Sequence, residues 1–526
     1  MTATATISDA PARRALPVPL ASVAVALCLF AVMQIAAAGK AGWVFEYPLD
    51  DPYIHLAMAE QIGQGGYGVN AGQMASAASS ALWPLLLVPA AGAEWGRYLP
   101  LVYNGLALAA LAYLFARVVI DSGFAARWPR TGLFAALALP SLLNAGGLAF
   151  TGMEHTAHAA ASVAIILGLV RLARGQSWGF YLALGCLLAP AFRLEGLALA
   201  LLGAGAVVLS GQIARGLGLV VLACAPVVAF TGFLGAQGIG PLPASIMAKM
   251  LDGGVAQASW GARLIGGLAA NITQPAGMAL LALVALASIA AVATSGAARR
   301  IALVGAGAGA AHLIFGQVGW LNRYEGYALI TVAASLLAAC GLNRGMARAL
   351  PTLAGLTGAV ALLLGAFYAS DFARVGYWAP RGIHLQQAQM ARFVHDFAQM
   401  PVAVNDLGRV AWRNPDPVLD LWGLASPQAR EARIVTQTQG WAGDLVAAQE
   451  VSLVMLYPQH FNGALGADWI TLGDLQLQYP RGFLGGGTVR FYAATPQAEA
   501  PLRAALDAFT PSLPQGVRFV PAEAGQ

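Results

Sequence analysis

Charge is scarce in this chain. Only 10% of its 526 residues are Asp, Glu, Lys or Arg, against about 25% in an ordinary soluble domain, which excludes a water-soluble globule over most of the length. Cysteine is scarce as well: Cys28, Cys186, Cys224 and Cys340 all fall inside apolar runs without CxxC or Cys/His spacing, so neither a zinc site nor a disulfide framework is expected. There is no GxxxxGK[ST] segment to cradle a nucleotide phosphate. The net charge of +5 is spread as small arginine groups with no basic stripe, so nucleic acid is not an expected partner. Internal repeats and heptads are also missing.

What is present is apolar sequence, 58% of the chain with a mean hydropathy of +0.66. Runs near 19–38, 99–118, 131–150, 156–172, 178–190, 195–211, 217–236, 277–294, 301–319, 326–342 and 349–369 predict about eleven transmembrane helices, that near 178–190 being the shortest. The first run follows Arg13 and Arg14 and lacks a small-residue cleavage site, so it reads as a retained anchor with a cytoplasmic N-terminus. Arg117, Arg127 and Arg130, then Arg171 and Arg174, Arg215, Arg299 and Arg300, and Arg344 and Arg348 fall in alternate loops. The positive-inside rule places those loops in the cytoplasm.

The other loops face outward. In the first of them, Pro52 to Ile62 carries Tyr53, Leu56, Ala59 and Ile62 at helical spacing opposite His55 and Glu60, predicting an amphipathic interfacial helix. Ala81 to Pro89 is too short to span and should also lie along the interface, while the Gly- and Ser-rich stretch from Gly63 to Ser80 is a loop able to wrap a ligand. Gln237 to Pro275 forms a second long outer loop. After Ser370 the composition becomes ordinary. Short β-like runs at Pro401–Val404, Ala432–Val435 and Val451–Leu456 alternate with helical pieces such as Leu385–Met400. The predicted fold is therefore a polytopic α-helical membrane domain, residues 1–375, followed by a soluble α/β domain, residues 381–526. An odd span count puts the latter outside.

Candidate functional residues gather at the outer ends of the spans, where charge is costly and tends to be paired or functional. Asp50 and Asp51 stand directly beyond the first span. One reading makes one of them a general base, its neighbour orienting an acceptor hydroxyl or helping to hold a divalent cation; the other makes them caps of the helix that Pro52 opens. Lys249, Arg193 and Arg323 can grip a phosphate through charge-assisted hydrogen bonds, or snorkel and pair with Glu195 and Glu325. Glu154 and His155 can bind metal or acceptor, whereas His312, inside a span, is assigned to structure.

These residues sit in motifs whose order resembles a known family. Leu49-Asp50-Asp51-Pro52-Tyr53-Ile54-His55, Gly66-Tyr67-Gly68-Val69-Asn70, Ser79-Ser80-Ala81-Leu82-Trp83-Pro84 and Gly152-Met153-Glu154-His155 look like the extracytoplasmic motifs of GT-C fold glycosyltransferases. Leu242-Pro243-Ala244-Ser245 with Lys249, Asn322-Arg323-Tyr324-Glu325, Val404-Asn405-Asp406-Leu407-Gly408 and Leu419-Asp420-Leu421-Trp422-Gly423-Leu424 extend the likeness. The pattern is similar to that of arabinofuranosyltransferases acting on mycobacterial cell-wall glycans and their proteobacterial relatives. It implies a polyprenyl-phosphate-linked sugar donor, a glycan, lipid or protein acceptor, inversion at the anomeric carbon, and a bacterial inner-membrane location with the soluble domain in the periplasm. Asp50 or Asp51 would be the base, Lys249, Arg323 and Arg193 the donor-phosphate ligands, and His55, Glu154, His155, Tyr324 and Glu325 substrate-binding residues. No cofactor is required, though Mg2+ or Mn2+ at Asp50 and Asp51 is compatible with the pattern. A flippase or transporter of lipid-linked sugars is the main alternative, with a non-catalytic envelope-assembly scaffold as the second; transporter sites usually lie at mid-membrane between repeated halves.

Overall fold

The structure is a computed structural model that describes residues 17–240, 242–244, 247, 260–343 and 349–523. Arg13, Arg14, Ser245, Lys249, Arg344 and Arg348 lie outside the described residues. Each of the eleven apolar runs is helical. Among the described residues seven segments are long and apolar enough to cross a membrane, beginning with Val18–Lys40 and Glu94–Asp121; Gly179–Phe192, Gly196–Val208 and Gly326–Leu342 are shorter apolar helices. The 131–150 run is broken, as Pro129–Leu142 and Ala145–Phe150 are separated at Asn144, whose φ is 71°.

Two helices form the inside of the bundle. His155–Ala173 and Gly326–Leu342 are buried on nearly every side, and their Ala, Gly and Ser content permits close approach of neighbouring backbones. The surrounding helices turn Val32, Ile35, Leu106, Val221, Val228 and Leu363 outward, the expected arrangement where the solvent is lipid. Arginines mark one end: Arg171 Nε lies 3.0 Å from Asp121 Oδ2, and Arg127 donates to the Asn343 carbonyl.

The other end carries the sheet. Strands β1 (Val402–Val404), β2 (Val418–Asp420), β3 (Leu453–Leu456), β4 (Ile470–Leu477), β5 (Thr488–Ala493) and β6 (Val517–Pro521) lie in the order β2-β1-β3-β5-β4-β6. β1 is parallel to β2 and to β3, and the remaining pairs are antiparallel. The β-like runs at 401–404 and 451–456 are thus strands. Ala432–Val435 is not: Ala432–Thr436 forms a helical turn continuing Pro427–Glu431, because the Ser426 hydroxyl accepts from Ala429 N and starts a helix there.

The first outer loop joins the two regions. The predicted helix exists as Asp51–Gly63, yet it is not a surface helix, since Pro52 to Ala59 are all buried. Leu407, Val410, Ala411 and Trp412 of the sheet domain belong to the same apolar cluster as Tyr53, Leu56 and Met58 and cover the face that would otherwise meet water. Full burial stabilises each such side chain by roughly 1.5–3 kcal/mol, so this helix works as a dowel between the domains. The Gly- and Ser-rich loop docks too: Asn70 exchanges two 2.9 Å hydrogen bonds with the Val418 backbone at the edge of the sheet.

Candidate active site

Between the bundle and the sheet domain lies a cavity of about 340 Å3. Its lining brings together Asp50, Asp51, His55, His155, Arg193, Arg323 and Tyr324 from the bundle side with Asn405, Asp406, Trp422, Tyr457 and His460 from the sheet domain. Of the residues singled out from sequence, Glu154 sits behind the wall and Glu325 takes no part in the lining.

The adjacent aspartates separate into different tasks. Asp50 occupies the N-cap position of Asp51–Gly63 but does not cap it with its side chain. Its oxygens instead accept from Gly408 N at 2.6 Å and Arg409 N at 2.8 Å, the first amides of Gly408–Ala411 in the sheet domain. A Cβ at Gly408 would stand 2.2 Å from the Asp50 carbonyl oxygen, so only glycine allows this approach. Asp51, with its side chain 34% exposed, ion-pairs through Oδ2 with Arg323 Nη2, whose side chain is 3% exposed. Arg323 keeps Nε and Nη1 without a hydrogen-bond partner among the described residues. A buried guanidinium with unmet donors favours an anion at those positions.

Arg323 is held by an unusual backbone. Gly319, Trp320, Leu321 and Asn322 have φ of 87°, 43°, 66° and 57°, a left-handed turn that costs about 1–3 kcal/mol for each non-glycine residue. Glu325 explains its persistence: Oε2 accepts from Gly319 N at 2.9 Å and Oε1 from the Tyr368 hydroxyl at 3.0 Å. Asn322 Nδ2 donates to Asp371 Oδ2 at 2.5 Å, and Asn144 Nδ2 to the Asn322 carbonyl at 2.8 Å. Glu325, expected as a substrate-binding residue, clamps the turn through these bonds and lies outside the cavity lining.

Arg193, 4% exposed, bridges Glu154 and Glu195 with two 2.8 Å contacts and lies 3.1 Å from His155 Nε2. Glu154, fully buried, also accepts from Ser79 Oγ at 2.8 Å and has His55 Nε2 3.7 Å from Oε2. Burial pushes His55 below its ordinary value despite that carboxylate, so the ring is neutral at pH 7. Tyr324 lies between the cations, its ring centroid 5.3 Å from Arg193 and 5.2 Å from Arg323. His312 is structural, with Nε2 2.9 Å from the Gln317 carbonyl and Nδ1 3.3 Å from the Tyr327 hydroxyl.

Sequence reasoning missed Tyr457 and His460 and gave Asp406 and Trp422 no task. A signal existed: all four stand just beyond the carboxyl ends of the parallel strands β1, β2 and β3, where open α/β sheets place ligands. Burial first, and then the Asp406 carboxylate, push Asp50 up to about 8 against the pull of its two amide donors. Asp406 is pushed up to about 6, again first by burial. A carboxyl with a raised folded pKa contributes stability below its unfolded value and loses it as pH rises through the folded one. Docking of Gly408–Ala411 on the first loop should therefore loosen progressively from about pH 4 to about pH 8. Hydrogen exchange at the Gly408 and Arg409 amides, corrected for its intrinsic pH dependence, should rise over that window; flat protection would contradict it.

Among the described residues no group of three or more His, Cys, Asp and Glu side chains converges as a metal site. Asp50 is engaged by amides and Asp51 by Arg323.

Residues 378–492 match a domain of unknown function, DUF8728. No curated protein matches the chain in sequence. Among solved structures the chain is similar to the arabinofuranosyltransferase AftD from Mycobacteria, at 14% identity and a TM-score of 0.43, with 90% of this chain and 40% of AftD covered. It thus spans about two fifths of that protein's length. The Archaeoglobus fulgidus oligosaccharyltransferase is also similar, at 12% identity and a TM-score of 0.47; 96% of this chain is covered in both structures, with 76% of that chain in the apo form and 75% in the complex with Zn and sulfate.

Proposed function

We propose that the protein is an inverting glycosyltransferase that moves a sugar, arabinofuranose or another pentose or hexose, from a polyprenyl-phosphate donor to a cell-envelope glycan, lipid or protein. The reaction would take place at the outer face of the bacterial inner membrane. One observation carries the reading: Asp51, the more accessible carboxylate of the cavity, is paired to a buried Arg323 that has two nitrogens left for an anion. The cavity is lined by residues just beyond the ends of apolar helices, Arg193 after Gly179–Phe192 and Arg323 before Gly326–Leu342, so a phosphate there could keep its hydrocarbon chain in the bilayer. An acceptor hydroxyl would lose its proton to Asp51 while its oxygen attacks the anomeric carbon from the side opposite the phosphate. The bond from that carbon to the phosphate oxygen breaks, and the electron pair leaves with polyprenyl phosphate. Arg323 and Arg193 meet the charge that builds on the leaving oxygen. Asp50 holds the sheet domain against the loop and so positions its neighbour.

The test is direct. Protein in nanodiscs, given synthetic polyprenyl-phosphate pentoses and hexoses together with envelope glycans, is expected to form a glycoside with inverted anomeric configuration. Protein that binds these donors yet turns none over, or that moves them across a bilayer unaltered, would replace this reading with the scaffold or the flippase.

A further inference from the structure

The cavity is chemically polarised. Its bundle side carries Arg193 and Arg323, whereas the sheet-domain side has no lysine or arginine among the described lining residues and presents Asp406, Tyr457, His460 and Trp422. These four follow three parallel strands whose order reverses at β1: the chain passes from β1 to β2 on one side and then to β3 on the other. That switch point is where a crevice opens beyond the strand ends.

Trp422 is built as a platform. Asp420 fixes the turn that bears it, accepting from Trp422 N at 2.8 Å and Ala425 N at 2.7 Å. The Arg433 guanidinium stacks on the indole at 4.0 Å from the ring centroid, and the His460 ring lies 5.9 Å from it, both Trp422 and His460 lining the cavity. Asp406 and Tyr457 share the cavity lining with this indole. Asp406 Oδ2 accepts from Gln387 Nε2 at 3.0 Å, and the same nitrogen lies 3.1 Å from the Tyr457 hydroxyl. Burial holds His460 below its ordinary value, so its neutral ring can both donate and accept. An aromatic face ringed by groups of this kind suits a sugar ring, with its apolar C–H face and its hydroxyl edge.

The geometry points to an acceptor-sugar subsite on the sheet domain that takes an uncharged sugar ring and rejects uronic acid or phosphorylated rings. This rests on the glycosyl-transfer reading and adds the acceptor's charge class. A carboxylate or phosphate on the acceptor would face Asp406, and no lysine or arginine of the sheet domain is among the described lining residues to meet it, Arg433 being stacked on the indole outside that lining.

The test reads binding rather than turnover. Full-length protein in nanodiscs is titrated with methyl glycosides of neutral pentoses and hexoses and with the matching methyl uronides, followed by saturation-transfer NMR. Neutral rings should bind about tenfold more tightly than their uronides at pH 7.5. Trp422→Ala should abolish the neutral-ring signal, and Asp406→Asn should shrink the discrimination to about twofold or less, a change that loss of folding cannot mimic. Equal binding of uronides, unchanged discrimination in Asp406→Asn, or no binding of any neutral ring would each overturn the subsite. A protein that binds neutral rings with this discrimination but transfers nothing from any lipid-linked sugar would retain the subsite and lose the transferase reading instead.

Discussion

Asp51→Asn is expected to lower sugar transfer by at least about 10²-fold, the usual lower range for removal of a general base, without weakening donor binding. The second half of that statement separates this site from a merely structural one. In the native protein Asp51 engages Arg323, so a donor phosphate must share a cation that already has a partner. The amide oxygen of Asn is a poorer partner, so Arg323 is freed and the Kd for polyprenyl phosphate should stay level or fall while kcat collapses. Asp50→Asn should behave differently. An Asn oxygen can still accept from either Gly408 N or Arg409 N, but its NH2 then meets the other amide donor to donor, so the domain contact weakens and transfer drops less steeply. Measuring kcat and donor Kd for both variants decides the matter; near-normal transfer in Asp51→Asn would remove it as the base.

The sequence alone could not choose between these two aspartates, and the physical reason is visible. What distinguishes them is a contact between Asp50 and amides 358 and 359 residues further on, and no local pattern encodes that partner. The same remoteness explains the helix Asp51–Gly63. Its apolar stripe of Tyr53, Leu56, Ala59 and Ile62 reads as the buried half of an interfacial helix, and His55 and Glu60 as its wet half. His55 is instead only 2% exposed, with Glu154 of the bundle beside it, while the sheet domain packs on the apolar stripe. Spans and outer-end charges were legible because both follow from one strong rule, the cost of polar groups in hydrocarbon. The clamp that Glu325 forms was not legible for a related reason: its charge at a span end is costly, but the left-handed turn it holds depends on backbone angles that composition does not reveal. Arg323 and Tyr324, two and one residues earlier, were placed on the cavity by the same rule.

Arg193 should give the other large effect, and on stability as well as on catalysis. Its guanidinium, 4% exposed, is the cation between Glu154, which is fully buried, and Glu195. Among the described residues, Arg193→Ala leaves Glu154 with the side chains of Ser79 and a neutral His55 as neighbours, Oγ at 2.8 Å and Nε2 at 3.7 Å. Removing one partner of a buried pair typically costs about 3–5 kcal/mol, because an uncompensated charge stays behind. The variant should therefore unfold at a clearly lower temperature in fluorescence-detected size-exclusion chromatography, and polyprenyl phosphate should no longer stabilise it as it does the parent. Arg193→Met combined with Glu154→Gln tests the cause, since neutralising both members removes the stranded charge. That pair should recover most of the lost stability while donor binding stays weak, which is the pattern required if Arg193 both satisfies Glu154 and contacts the phosphate. If the double variant regains donor affinity together with stability, Arg193 is a structural strut alone, and Arg323 must carry the phosphate among the described cations of the cavity.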